Sequence, residues 1–177
     1  MIQSAGVRNL VNFVLFQAGW FLCVVYPGTL TAIAALVLVV LHLVLVSQRP
    51  ARELQFIVLG TVVGSLIDSV WFYLGVMSSQ AGTALWAPLW LVGVWAMFMT
   101  TLAHSLSWTG TRAWLPFTLA PIAGPFAYWS ASKLGAVSLP DPTLSLPALA
   151  LGWMISFPLM MYIRRRYFPE LTTEAAP

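Results

Sequence analysis

Residues 54–77 read LQFIVLGTVVGSLIDSVWFYLGVM, an almost unbroken apolar run with a single carboxylate, Asp68, inside it. About 20 such residues are enough for a helix to cross the hydrocarbon core of a bilayer. Gly60, Gly64 and Asp68 recur every four residues and therefore share one helix face. Small residues at that spacing let a second backbone come close, so the face is a packing groove that turns Asp68 toward protein and away from lipid. Ser65 and Ser69 lie beside it.

Five further segments have the same character: 8–26, 29–47, 88–108, 114–135 and 144–163. The connections between them are too short to hold a soluble domain. Hydrophobic residues make up 60% of the 177-residue chain and charged residues only 7%, against roughly 25% charged in a soluble globular protein. The expectation is an all-α polytopic membrane protein: one bundle of six transmembrane helices over residues 1–166, and a short polar tail over 167–177. The first apolar stretch is as long as a span and lacks a small-x-small cleavage site, so it reads as a retained helix and not a signal peptide.

The basic residues sort by side. Arg8 precedes the first span, Arg49 and Arg52 follow the second, Arg112 follows the fourth, and Arg164, Arg165 and Arg166 follow the sixth; the alternate connections carry no arginine. The positive-inside rule then puts both termini in the cytoplasm. A net charge of +3 spent at helix ends suits anionic headgroups and not a polyanion, so nucleic acid is not an expected partner. Trp86, Trp90, Trp108, Trp114 and Trp129 sit near segment ends and fit an interfacial aromatic belt. Cys23 is the only cysteine and reads as an apolar filler.

Ionisable groups at membrane depth are costly and become candidates for function. Asp68 is a candidate proton, ion or base site, or else a carboxyl bonded to a neighbouring helix. Lys133, near the outer end of the fifth span, either pairs with Asp68 or snorkels to the headgroups. His104 and His42 have similar depth on the cytoplasmic side, and Asn12 lies on the first turns of the first span with Phe16 and Trp20 on its stripe. Two histidines need a third ligand to hold a metal; none is visible at that depth, so no metal or cofactor is expected and the group reads as hydrogen-bonded helix glue. The fifth span carries Pro116, Pro121 and Pro125, and Gly124, Tyr128 and Ser132 share a face, which marks it as a cavity wall.

Several of these residues also carry a resemblance. Asn12-Phe13 with Phe16-Gln17 and Trp20, Gly64 with Asp68-Ser69 and Gly75-Val76, and Pro88-Leu89-Trp90-Leu91 are among its carriers. So are Thr101-Leu102 with His104-Ser105-Leu106, Gly124-Pro125 with Tyr128, Lys133-Leu134-Gly135-Ala136, and Trp153. Together the chain resembles, over nearly its whole length, a family of small bacterial inner-membrane proteins catalogued as domain of unknown function 2878. The resemblance implies a multi-pass protein of the bacterial inner membrane and no particular activity. It further implies a lipid-related role, with membrane lipids and possible lipid-modifying enzymes as partners.

Two functions follow as expectations. In one, the chain binds or moves a lipid-like or small amphiphilic molecule along a path lined by Asp68 and the fifth span. In the other it is a membrane-embedded enzyme or accessory subunit in fatty-acyl or lipid modification. Asp68 lies roughly 21 Å from the inner surface and His104 roughly 6 Å, at 1.5 Å per residue, so one catalytic site containing both is disfavoured. A third arrangement is a structural subunit that docks a partner on its Gly60/Gly64 face. The sequence leaves cargo, coupling ion and oligomeric state open.

Overall fold

The computed structural model describes residues 2, 4–79 and 86–173. Gly82, within the expected outer connection, and residues 174–177 of the expected tail lie outside the described residues. The chain is all-helical, with six main helices: α1 (Ala5–Val25), α2 (Thr29–Leu45), α3 (Pro50–Tyr73), α4 (Leu89–Ala103), α5 (Leu115–Lys133) and α6 (Pro142–Tyr167). A one-turn helix, α7 (Glu170–Thr173), follows. Three of them, α1, α3 and α6, are long and apolar enough to cross a membrane, while α2 and α4 are shorter apolar helices.

α4 is central: it packs against α1, α2 and α3 and is buried on nearly every side, leaving Leu89 as its only exposed large hydrophobic residue. Glycines make this closeness possible. A Cβ added at Gly60 would collide with Met99, one at Gly64 with the Trp95 indole, and one at Gly93 with Ala35. The groove read from Gly60 and Gly64 is thus filled by α4. α5 pairs with α6 as a separate hairpin, closely enough that a Cβ on Gly124 would meet the Trp153 ring. At one end, the connections after α3 and after α5 meet as two short antiparallel strands, β1 (Ser78–Ser79) and β2 (Val137–Ser138). The Ser145 hydroxyl of α6 donates to the Val76 carbonyl at the same end, 2.5 Å away.

Several boundaries differ from the sequence reading for local reasons. α3 starts four residues early, because Pro50 has the fixed φ suited to a first helical position, and this brings Glu53 out of the expected connection into the first turn. α4 stops at Ala103 and not at 108, and the chain continues through a 3-10 turn at Ser107–Gly110. Arg8 lies inside α1 and is buried. Arg164 is likewise buried within α6, where its guanidinium donates to the Leu102 carbonyl in the last turn of α4. A cation there complements the negative end of the α4 dipole, so this arginine is a helix-end clamp and not a headgroup anchor. Trp90 belongs to the core, unlike exposed Trp86, Trp108, Trp114 and Trp129. The expected polar tail begins with a docked segment: Phe168 lies 5.3 Å from Phe56, and Leu171 is fully buried.

Candidate functional site

Three helix ends meet near the Arg8 end of the bundle. His42 is in the last turn of α2, Glu53 in the first turn of α3, and His104 caps α4; all three are 0–2% exposed. His42 Nε2 lies 2.6 Å from Glu53 Oε1, and His104 Nε2 lies 3.1 and 3.2 Å from the two carboxylate oxygens. The α3 dipole agrees with the carboxylate, since an acid is favoured in a first turn.

Asn12 of α1 organises the group. Its Oδ1 accepts from the Ser105 backbone N–H (3.2 Å) and hydroxyl (2.6 Å). That diverts the backbone donor which would have continued α4, and Leu106 N–H instead reaches back to the Thr101 carbonyl at 2.8 Å. The Ser105 amide can only donate, so the carbonyl of Asn12 faces it and the NH2 faces the other way. That NH2 donates to Thr100 Oγ1 (2.9 Å) and to His42 Nδ1 (3.2 Å). With Nδ1 accepting, the His42 proton sits on Nε2 and is donated to Glu53.

A second polar centre lies farther along α3. Asp68 is 1% exposed and accepts from Trp95 Nε1–H at 2.7 Å on Oδ2 and from the Tyr128 hydroxyl at 2.6 Å on Oδ1. Trp95 only donates, whereas a phenol can donate or accept. An added proton can therefore be shared only between Oδ1 and Tyr128. The flanking serines do not share this site: Ser69 accepts from Ala87 N–H and donates to the Ser65 carbonyl. Lys133 is exposed, with its ammonium 5.7 Å from the Trp129 ring centre, and among the described residues no carboxylate pairs with it. Ser132 points to the Trp129 carbonyl beside it.

Next to Asp68 a cavity of about 390 Å³ opens between α1 and α4 on one side and the α5–α6 hairpin on the other. Phe16, Trp20, Trp95, Phe98, Tyr128 and Trp153 form its aromatic walls. Trp95 and Trp153 stack at 5.3 Å, and Phe98 meets Trp153 edge-on at 5.3 Å. The room comes from α5, which turns Ala120, Ala123, Gly124, Ala127 and Ala131 toward these rings. Pro125 is buried beside them. The walls are almost wholly apolar, with the Tyr128–Asp68 bond at their edge.

The structure thus gathers Asn12, His42 and His104 into one group, and Asp68 with Tyr128 into another, while Ser132 and Lys133 stand apart. The sequence reading missed Glu53, the third group at the histidines, and so the expectation that no third ligand reaches them does not hold. The signal was present: Glu53 follows a proline suited to open a helix, on the side where both histidines lie. Trp95 was also missed, and Trp153 was noted only among the residues that carry the resemblance, since neither indole is marked by cost or spacing.

The model of a family described as "Protein of unknown function (DUF2878)" matches residues 9–159. The chain belongs to that family. No curated protein and no solved structure matches it.

Proposed function

We propose, starting from that membership, that the chain is a six-span protein of the bacterial inner membrane with both termini in the cytoplasm, and that it binds a lipid-like or small amphiphilic molecule. The observation that supports binding is the aromatic cavity between α1, α4, α5 and α6, whose 390 Å³ falls within the usual range for small-ligand sites. Apolar walls with one polar contact at the edge suit an acyl chain ending in a hydrogen-bonding group. The exposed surface fits lipid, because α1, α2, α3 and α6 all present large apolar side chains outward. A single catalytic site joining Asp68 to His104 is disfavoured: Glu53, the partner of His104, lies fifteen residues from Asp68 on α3, about 22 Å at 1.5 Å per residue.

Mass spectrometry of the detergent-purified protein tests the binding. The wild-type chain should retain a lipid-like species that Ala123→Trp and Ala127→Trp, which fill the cavity, lose while remaining folded. Equal retention by the filled variants would overturn the reading. Reporters fused after Arg112 and Arg166 should report cytoplasmic and one near Gly82 periplasmic; a periplasmic Arg166 fusion would overturn the six-span arrangement.

A further inference from the structure

We propose that His42, Glu53 and His104 are a binding site for one first-row divalent transition-metal ion, with Zn²⁺ the best fit. Two imidazoles and a carboxylate are a donor set that suits such ions. Their ligating atoms lie within 4.8 Å of one another. The three side chains come from three helices and converge on one point, buried to 2% exposure or less. Donors about 2.0–2.2 Å from zinc stand roughly 3.4 Å apart in a tetrahedron. The 3.1 and 3.2 Å separations between His104 Nε2 and the two carboxylate oxygens are close to that value, and the 2.6 Å contact at His42 needs to open by less than ~1 Å. Both carboxylate oxygens facing His104 allow the carboxylate to bind through both, giving four protein donors and a closed site.

The hydrogen-bonded arrangement is the metal-free form of this site. His42 Nε2 carries a proton toward Glu53, which preorganises the ligands at nearly the spacing the ion requires. Metal binding needs the Nε2 lone pair of both histidines, so the proton on each moves to its own Nδ1, and at His42 that proton requires an acceptor. Asn12 is within 3.2 Å of Nδ1 and supplies one by turning its amide, giving up the bonds from the Ser105 backbone N–H and to Thr100 Oγ1, whose hydroxyl can then donate to the turned carbonyl while the NH2 finds the Ser105 hydroxyl. A ligating histidine whose second nitrogen donates to a side-chain oxygen is the usual outer arrangement of metal sites. Asn12 is therefore a positioning residue.

The test uses the whole chain in detergent, stripped with a chelator and loaded with Zn²⁺ alone or Co²⁺ alone. Metal analysis should find one ion per chain in the wild type, the cobalt form should show visible bands of low-symmetry coordination, and zinc should raise the melting temperature. Glu53→Gln and His104→Asn should lose the ion. Asn12→Leu should weaken affinity by roughly 10–100-fold, the cost of losing an outer-shell partner, and Asn12→Asp, which keeps an acceptor at Nδ1, should retain it. Asp68→Asn, in the other centre, should bind like the wild type. A wild-type chain that takes up no ion, or no more than Glu53→Gln, overturns the proposal and leaves a proton-sharing cluster. The wild-type stoichiometry alone decides the matter where a variant does not fold.

Discussion

Glu53 and Asp68 sit fifteen residues apart on the same helix and differ in what surrounds them. Glu53 is held by imidazoles from α2 and α4, with α1 supplying Asn12, so every element of the four-helix group α1–α4 contributes to that centre. Asp68 has one partner inside the group, Trp95, and one outside it, Tyr128 of the α5–α6 hairpin. Glu53 lies inside one packed unit and Asp68 lies at the seam between two, beside the cavity. A costly carboxylate within a unit fixes how that unit packs; one at a seam fixes how two units meet and is in reach of whatever enters between them.

Removing a member of each centre separates the two roles. Glu53→Leu leaves two buried imidazole N–H groups without their acceptor, and each buried donor left unsatisfied costs about 1–3 kcal/mol. Thermal unfolding in detergent should show this as the largest loss of any substitution considered, and an unchanged midpoint would remove the distinction between the centres. Gly64→Leu comes next. The Trp95 indole occupies the space of its side chain, and overpacking costs typically 1–3 kcal/mol. It should also displace Trp95 from Asp68, which tryptophan fluorescence would report as a shift in emission.

Tyr128→Phe removes only the bond across the seam. A hydrogen bond between membrane helices averages about 0.6 kcal/mol, so the midpoint should barely move while lipid retention falls. Loss of stability without loss of retention would recast Asp68 as helix glue.

The smallest expected effect comes from neither centre. The Arg52 guanidinium, bonded to Glu170 beside docked Phe168, holds the Glu170 carboxyl below its ordinary value. A carboxyl depressed in the folded state stabilises fully above the ordinary glutamate pKa of about 4.3 and loses that contribution as pH falls through the lower folded value. A slight drop in melting temperature between pH 5 and pH 3, as an order-of-magnitude window around that pKa, should be smaller in Glu170→Gln, the remainder coming from other depressed carboxyls such as Asp141.

How much of this was legible in the sequence depended on which physical cost marked each residue. The helices were legible from length and hydropathy, and Asp68 from the expense of a charge with glycines one and two turns before it. Tyr128 was legible as a wall residue, because Gly124, Tyr128 and Ser132 share a face, but not as the partner of Asp68, for which the sequence offered Lys133. Glu53 was not, because its place among Arg49, Pro50 and Arg52 made it read as a solvated connection, and only the early start of α3 turns it inward. Arg164 was hidden in the same way by Arg165 and Arg166, which do lie at the surface. One wall of the cavity was legible, since Gly124 and Tyr128 of the fifth span line it; the facing wall was not, because the space is a difference in side-chain volume across a seam, alanines facing indoles, and no periodicity records which helix faces which.

The division of contacts also bears on how the chain is made. α1 to α4 largely complete one another before α5 exists, and α5 and α6 are mainly each other's neighbours. The joint between the two sets is the short segment after the Ser107–Gly110 turn. During synthesis the first unit can close its polar centre while the hairpin is still in the ribosome, and the hairpin then docks as a late piece through the Trp95–Trp153 stack and the β1–β2 pair. Two polypeptides divided between Thr111 and Trp114 and expressed together should accordingly reassemble, with the first one inserted whether or not the second is present.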